Sequence, residues 1–226
     1  DRHRHCRTGR GYPRTPEPLT MLRIWGRISS INVRKVVWCA QELDIDFVRV
    51  DAGASFGLVN TPDYLAKNPN GQVPLLEEGA FSLWESNVIV RYLCAKDGEG
   101  LLYPDDLHAR FNAERWMDWQ QTTLNPAGRD AFVQLIRQPG GQIDQGKVAA
   151  SLAATEPLLD LVDAHLAHQP FMAGNDFTMA DIPVACEIHR WRSLPVAHQS
   201  RAHLDAWYQR MLERPASRGV LDLSLS

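Results

Sequence analysis

The chain has 226 residues, 44% hydrophobic and 23% charged, which is typical of a soluble globular protein and not of a disordered one. Its formal net charge of −3 at pH 7 gives no broad basic surface for nucleic acid. No uncharged apolar run reaches about 18 residues, so the sequence predicts no membrane span.

Residues 1–20 differ from the rest of the chain because they carry five arginines and three prolines. The prolines disfavour a helix, and no apolar segment of the kind found in secretory signals is present. We expect this stretch to be a disordered leader or an artificial remnant, with Met21 as the natural first residue.

Short elements of alternating type follow Met21. Apolar patterns predict four strands, at residues 22–25, 47–50, 73–76 and 81–83. Helices are predicted from a cap at Asn32 to about Leu43, from Pro62, and from Glu85-Ser86. The order is βαβ, a short helix, then ββα.

The pattern changes after residue 97. Residues 98–106 are predicted to be a linker, and every long segment beyond it predicts helix. These helices are predicted at residues 107–137, 145–168, 178–190 and 201–213. The sequence therefore indicates an α/β domain over 21–97 and an all-helical domain over 107–226.

Cysteine and histidine usage argues against a metal site. Cys39 and Cys94 lie in apolar, helix-like segments, and we expect buried thiols in a reducing compartment. The pair His3 and His5 has no third ligand nearby, and no HExxH or CxxC motif occurs. No metal is predicted.

Three motifs carry a resemblance to a known family. The segment Asn68-Pro-Asn-Gly-Gln-Val-Pro74, followed by Leu83-Trp-Glu-Ser86, resembles the glutathione site of cytosolic glutathione transferases. Phe177-Thr-Met-Ala-Asp-Ile182 resembles the helix-start signature of their second domain, and Ser30-Ile-Asn-Val-Arg-Lys35 resembles bacterial relatives of the theta, delta and zeta groups. The resemblance covers about Met21 to Arg214.

The resemblance implies a thioredoxin-like N-terminal domain, a helical C-terminal domain, glutathione as co-substrate and a cytoplasmic homodimer. It places glutathione on Gln72, on the backbone of Val73 before a cis Pro74, and on Glu85-Ser86. A helix N-terminus there would favour the γ-glutamyl carboxylate. A plain turn and an ordinary helix cap are the alternatives for these residues.

Ser30 is the expected catalytic residue, because it follows the first strand and its hydroxyl could donate to the glutathione thiolate. Ser29 and Asn32 are its rivals, and all three could instead only cap the helix. For the acceptor pocket the candidates, with core packing as the alternative for both tryptophans, are Trp116, Trp119, Asn125 and Arg129.

The predicted activity is transfer of glutathione, held as thiolate, to a small hydrophobic electrophile. The alternatives are a glutathione-dependent dehalogenase, isomerase or peroxidase, or a non-catalytic glutathione-binding module. Mixed-disulfide chemistry is disfavoured because residues 26–34 contain no cysteine. Thr178 and Asp181 are expected to form a structural capping box, with Phe177 and Ile182 as its hydrophobic staple.

Overall fold

The structure is a computed structural model that describes residues 21–138 and 140–225. The expectation of a disordered leader at residues 1–20 lies outside the described residues.

A four-stranded mixed sheet organises the N-terminal domain, with strand order β2-β1-β3-β4. Its strands are β1 (Leu22–Trp25), β2 (Phe47–Val50), β3 (Leu75–Glu78) and β4 (Phe81–Trp84). Strand β1 runs parallel to β2, and β3 runs antiparallel to both β1 and β4. Ile24 lies opposite Leu76, and both side chains are fully buried. This arrangement confirms the predicted thioredoxin-like fold.

The helices of this domain are α1 (Ile31–Glu42), α2 (Pro62–Leu65) and α3 (Ser86–Asp97). Strand β3 begins at Leu75, two residues later than predicted, because Pro74 has no N–H for the ladder. The Val73–Pro74 peptide bond is cis, as expected.

The cap predicted for α1 was wrong by two residues. Ser30 has an extended backbone (φ −81°, ψ 123°), and its carbonyl accepts the first helical bond from the Arg34 N–H at 3.0 Å. Asn32 therefore lies in the first turn of the helix, not at its cap.

The C-terminal domain is helical throughout its long segments. Its helices are α4 (Leu107–Trp119), α5 (Asn125–Phe132), α6 (Gln145–Leu166), α7 (Asp181–Arg192) and α8 (Ala202–Glu213). Two π-helical segments, Gln120–Leu124 and Val133–Arg137, join α4 and α5 and extend α5, so the predicted helix over 107–137 is one run with two irregular turns. Within the described residues, no helix has both the length and the apolarity needed to cross a membrane.

The start of α7 shows the predicted capping interaction. The Asp181 carboxylate accepts the Thr178 N–H at 3.0 Å, and the Thr178 hydroxyl accepts the Ala180 N–H at 3.3 Å. Asp181 also accepts from the Met172 N–H and from Trp207 Nε1, each at 2.9 Å. The carboxylate is completely buried, so it joins the loop before α7, the helix itself and α8.

The two domains share one hydrophobic core. Helix α1 packs against α3 on one side and α7 on the other, with Trp38 fully buried between them. At the end of α1, the Glu42 carboxylate accepts two bonds from Arg214, at 2.6 and 2.8 Å. The position of α1 is thereby set by both domains.

Candidate functional site

The loop between β1 and α1 leaves the Ser30 hydroxyl at the start of α1. This hydroxyl makes no capping hydrogen bond, and the first turn of α1 contains no acidic residue. The first N–H groups of a helix have no intrahelical partner and, with the helix dipole, attract an anion. The hydroxyl and these N–H groups are therefore suited to stabilise the same negative charge.

Of the two rivals of Ser30, Ser29 is held through its backbone and Asn32 through its side-chain oxygen. The Ser29 carbonyl accepts from Arg137 Nη2 at 3.1 Å. Asn32 Oδ1 accepts from the Ser86 hydroxyl at 3.3 Å, so Asn32 connects the start of α1 with the start of α3.

A first cavity of about 250 Å³, which we call the turn cavity, lies between the starts of α1 and α3. All five residues predicted to bind glutathione line it, namely Gln72, Val73, Pro74, Glu85 and Ser86. Val73 lies just before β3, outside the register of paired strands. Its backbone is thus placed to receive an extended peptide as an added strand.

Glu85 has an unusual backbone conformation, with φ 74° and ψ 106°. A non-glycine residue in this region costs about 1–3 kcal/mol and is often found at functional sites. The conformation turns the chain directly into α3, where the buried Ser86 is the first helical residue. The first turn of α3 contains no acidic residue after the cap residue Glu85, and both Glu85 and the N-terminal end of α3 face the turn cavity.

The turn that carries Val73 is fixed by two hydrogen bonds to one carbonyl. The Gln72 carbonyl accepts from the Tyr64 hydroxyl at 2.6 Å and from Asn68 Nδ2 at 2.8 Å. Asn68 also accepts the Asn70 N–H at 3.1 Å, which is an Asx turn. The side chain of Asn68 therefore stabilises the turn.

Sequence reasoning missed a buried lysine beneath the turn cavity. Lys35 is completely buried, and its ammonium donates to Asn87 Oδ1 at 3.2 Å, Gln120 Oε1 at 2.9 Å and Gln121 Oε1 at 3.2 Å. Burial lowers the pKa of Lys35 to about 8, with Glu187 opposing the shift. Lys35 lies among apolar positions of α1, and no periodic pattern distinguished it in the sequence.

A second cavity of about 300 Å³ lies beside Ser30, and we call it the arginine cavity. Asn32 lines both cavities, so they meet at the start of α1. Ser29, Ser30, Phe132 and Leu225 contribute to its wall. Its remaining charged lining consists of Arg27, Arg34, Arg129, Arg137 and Arg190.

The structure brings only part of the predicted acceptor pocket to this cavity. Arg129 lines it, and Asn125 stands behind it, accepting from Arg190 Nη2 at 3.2 Å. Trp116 and Trp119 line neither cavity. Their rings contact each other with centroids 5.3 Å apart, and Trp116 packs on His165 of α6 at 4.5 Å. These ring contacts support the core-packing alternative for both tryptophans, and their place in the acceptor pocket stays a prediction.

Two other residues of the cavity wall, Cys186 and His189, are unsuited to act as a nucleophile or as a cation. Burial raises the pKa of the Cys186 thiol to about 12, and a protonated thiol is a poor nucleophile. His189 is bonded through Nδ1 to the Tyr208 hydroxyl at 2.8 Å and through Nε2 to the Leu223 carbonyl at 2.9 Å. Burial lowers the pKa of His189, which favours its neutral form. The positive charge of the cavity therefore comes from its arginines.

Among residues 21–138 and 140–225, no group of three or more His, Cys, Asp or Glu side chains is arranged to hold a metal ion.

Comparison with known proteins gives consistent matches to one family. The family model described as "Glutathione S-transferase, N-terminal domain" matches residues 20–95, and that described as "Glutathione S-transferase, C-terminal domain" matches residues 123–215. The chain is 40% identical to glutathione S-transferase GstB of Escherichia coli over 208 residues, which covers 91% of this chain and 100% of GstB. It is 32% identical to glutathione S-transferase 3 of Zea mays, with 86% and 90% of the two chains covered.

A solved structure extends the comparison. The theta class glutathione S-transferase from Xanthomonas axonopodis pv. citri, with glutathione bound, superposes with a TM-score of 0.88 at 42% identity. The match covers 92% of this chain and 100% of that one.

Proposed function

The chain belongs to the glutathione S-transferase family, and we propose that Ser30 activates glutathione in the turn cavity for transfer to an electrophile in the arginine cavity. Glutathione is the co-substrate of the family. The part that each residue plays in binding and activating glutathione is likewise proposed.

Glutathione lies in the turn cavity in this proposal. Its cysteinyl backbone pairs with Val73, as an added strand would. Its γ-glutamyl carboxylate accepts from Ser86 at the start of α3, and the Glu85 carboxylate faces its ammonium group. Gln72 supplies a side-chain amide at the glycyl end. All these residues line one cavity, which supports their acting on one ligand.

The thiol of bound glutathione then lies beside the start of α1. A hydrogen bond from Ser30 and the helix N-terminus stabilise the thiolate, and the thiol proton leaves to solvent. A free thiol has a pKa of about 8.5, and lowering it by two units takes about 2.7 kcal/mol. One charge-assisted hydrogen bond together with a helix terminus can supply that much. The thiolate attacks the electrophilic carbon and the leaving group departs with its electron pair.

One observation carries the proposal. The Ser30 hydroxyl makes no capping bond although Ser30 is the N-cap residue, and Ser30 lines the arginine cavity two residues before Asn32, which lines both cavities. A cap residue whose hydroxyl is unused is free to donate to a ligand.

The test is a conjugation assay with glutathione and chlorodinitrobenzene. We expect the unaltered protein to be active, and Ser86→Ala to raise KM for glutathione about tenfold or more, because charge-assisted hydrogen bonds contribute about 1.5–3 kcal/mol. Ser82→Ala, on the neighbouring strand β4, is the matched control and should leave KM unchanged. An inactive unaltered protein that still binds glutathione would favour the non-catalytic module.

We also propose that two copies form a two-fold dimer through β4, α3 and α4. Phe81, Val88, Leu107 and Phe111 are exposed apolar side chains on these elements. Arg91 of α3 forms ion pairs with Glu114 and Asp118 of α4, which holds the two helices side by side. Exposed apolar patches of this kind often mark protein–protein contacts.

Light scattering on the purified protein tests the dimer. We expect a mass of two chains, and Phe111→Glu should shift the mass toward one chain because a buried unpaired carboxylate opposes association. Leu161→Glu, an exposed leucine on α6, is the control and should remain a dimer. A single-chain mass for the unaltered protein would contradict the proposal.

The cytoplasmic location and the division into 21–97, 98–106 and 107–226 stay predictions. Cys39 Sγ and Cys94 Sγ lie 3.4 Å apart as buried free thiols, which supports a reducing compartment. The end of α3 at Asp97 and the start of α4 at Leu107 support the division.

A further inference from the structure

We propose that the arginine cavity selects acceptor substrates that carry an anionic group, such as a carboxylate, next to the electrophilic carbon. This inference rests on the proposed function and names the class of acceptor. It differs from the purely hydrophobic electrophile expected from the sequence.

Among the described residues, the lining of the arginine cavity carries positive charge in excess. Its five arginines come from separate parts of the chain, and none of its lining residues within 21–138 and 140–225 is Asp or Glu. Of the five, within the described residues, Arg190 alone forms an ion pair, with Glu187. Arg34 instead donates to the carbonyls of Ile28, Leu223 and Ser224, at 2.9, 3.1 and 2.8 Å, and the nearby charge of Asp222 acts on it without a direct ion pair among the described residues.

Two arginines of the cavity also have hydrogen-bond donors that the described residues leave unsatisfied. Arg27 Nε and Arg137 Nε are buried, and neither has a partner among the residues that the structure describes. A buried donor without a partner costs about 1–3 kcal/mol, and more when it is charged. A carboxylate in the cavity would pair with the guanidinium groups of Arg27 and Arg137 through their Nη atoms, because a guanidinium fits a carboxylate with two parallel bonds.

The positive charges of the cavity's arginines repel one another. Burial lowers the pKa of Arg137, and the neighbouring charges of Arg27, Arg190 and Arg34 lower it further. Burial likewise lowers the pKa of Arg27. Both pKa shifts have the direction expected for positive charge held in a buried place, and a bound anion would oppose them.

The wall of the arginine cavity also offers an aromatic surface for the rest of the acceptor. Phe132 is the aromatic residue in the wall, and the Cζ atoms of Arg137 and Arg190 lie 5.1 and 5.2 Å from its ring centroid. A flat ring can stack on this surface while its anionic substituent meets the guanidinium groups. Ser30 lines the same cavity, so the reacting carbon can lie near the sulfur of glutathione.

A matched pair of acceptors tests the inference: chlorodinitrobenzene, which is neutral, and chlorodinitrobenzoate, which adds one carboxylate to the same ring. In both, the C–S bond forms at the ring carbon that bears chlorine, and chloride leaves with the electron pair. The measured quantity is the ratio of kcat/KM for the carboxylated acceptor to that for the neutral one, after subtraction of the uncatalysed rates. Comparing this ratio between variants removes the intrinsic reactivity of the two compounds.

We expect Arg27→Gln and Arg137→Gln each to lower this ratio about tenfold, and the double variant about a hundredfold, because each lost charge-assisted bond weakens binding by about that factor. Arg137→Lys keeps the charge and should recover part of the loss. Arg218→Gln removes an arginine on the surface outside the cavity and should leave the ratio unchanged. A higher salt concentration should lower the preference in the unaltered protein.

Three outcomes would overturn the inference. The first is an unchanged ratio in the double variant. The second is an equal fall in kcat/KM for both acceptors together with a higher KM for glutathione, because the arginines would then bind a carboxylate of glutathione itself. The third is conjugation of neither acceptor by the unaltered protein, which would also remove the proposed function, whereas the first two leave that function intact.

Discussion

Replacing Ser30 with alanine is expected to lower kcat for conjugation about a hundredfold at neutral pH, with KM for glutathione changed by less than about threefold. The hydroxyl contacts only the sulfur in our proposal, while Val73, Glu85 and Ser86 hold the rest of the tripeptide. Removing it should therefore weaken the thiolate and not the binding of glutathione.

The pH dependence of Ser30→Ala gives a second readout. Without the hydrogen bond, the pKa of bound glutathione should rise toward its free value of about 8.5. The thiolate is the reactive form, so the deficit of the variant should be largest at low pH and shrink as the pH rises above that pKa. A stopped-flow or absorbance titration of the bound thiolate measures the pKa directly.

Ser29→Ala is the matched control for this experiment. Its carbonyl accepts from Arg137, and that bond does not involve the hydroxyl, so the substitution should leave activity nearly unchanged. Full activity of Ser30→Ala, together with loss in Ser29→Ala or Asn32→Ala, would move the catalytic role to the residue whose loss matters.

Replacing Asp181 with alanine is expected to give the largest loss of stability, about 3–5 kcal/mol, because it leaves three buried N–H donors without an acceptor. These donors belong to Met172, Thr178 and Trp207. For a protein of this size the loss corresponds to a fall in Tm of about 10 °C. A capping role alone, as expected from the sequence, predicts a loss of about 1 kcal/mol or more, because the sequence revealed one of the three partners.

Thermal unfolding measured by calorimetry checks this expectation. Asp176→Ala is the control, because Asp176 is an exposed acid in the same loop and its loss should change stability by less than about 0.5 kcal/mol. A Tm for Asp181→Ala within a degree or two of the control would contradict the role assigned to this carboxylate.

Much of the fold could be predicted because its signals are local. The alternation in Phe47–Val50 and the Gly79 turn each depend on a few adjacent residues. The start of α1 was less certain, because Ser30 and Asn32 are both good cap residues, and only the backbone geometry shows which one leaves the helix.

The acceptor side of the site was harder to predict for a different reason. Arg27, Arg137 and Arg190 lie on a loop, a π-helical segment and α7, and no spacing rule joins positions so far apart. One partial signal was available, because Arg27 lies in the same turn as the two serines. For Trp116 and Trp119 the sequence left both core packing and the acceptor pocket open, since a helix periodicity does not tell which neighbour covers a given face.

Substitutions at the last described residues are expected to change which acceptor substrates this protein uses. Leu225 lines the arginine cavity, and the carbonyl of Leu223 is held by Arg34 and His189, while that of Ser224 is held by Arg34. Because these contacts use backbone atoms, the side chains at 223–225 can be randomised without removing the anchors. A small combinatorial library at three adjacent codons would therefore vary substrate scope while leaving the lining of the turn cavity untouched.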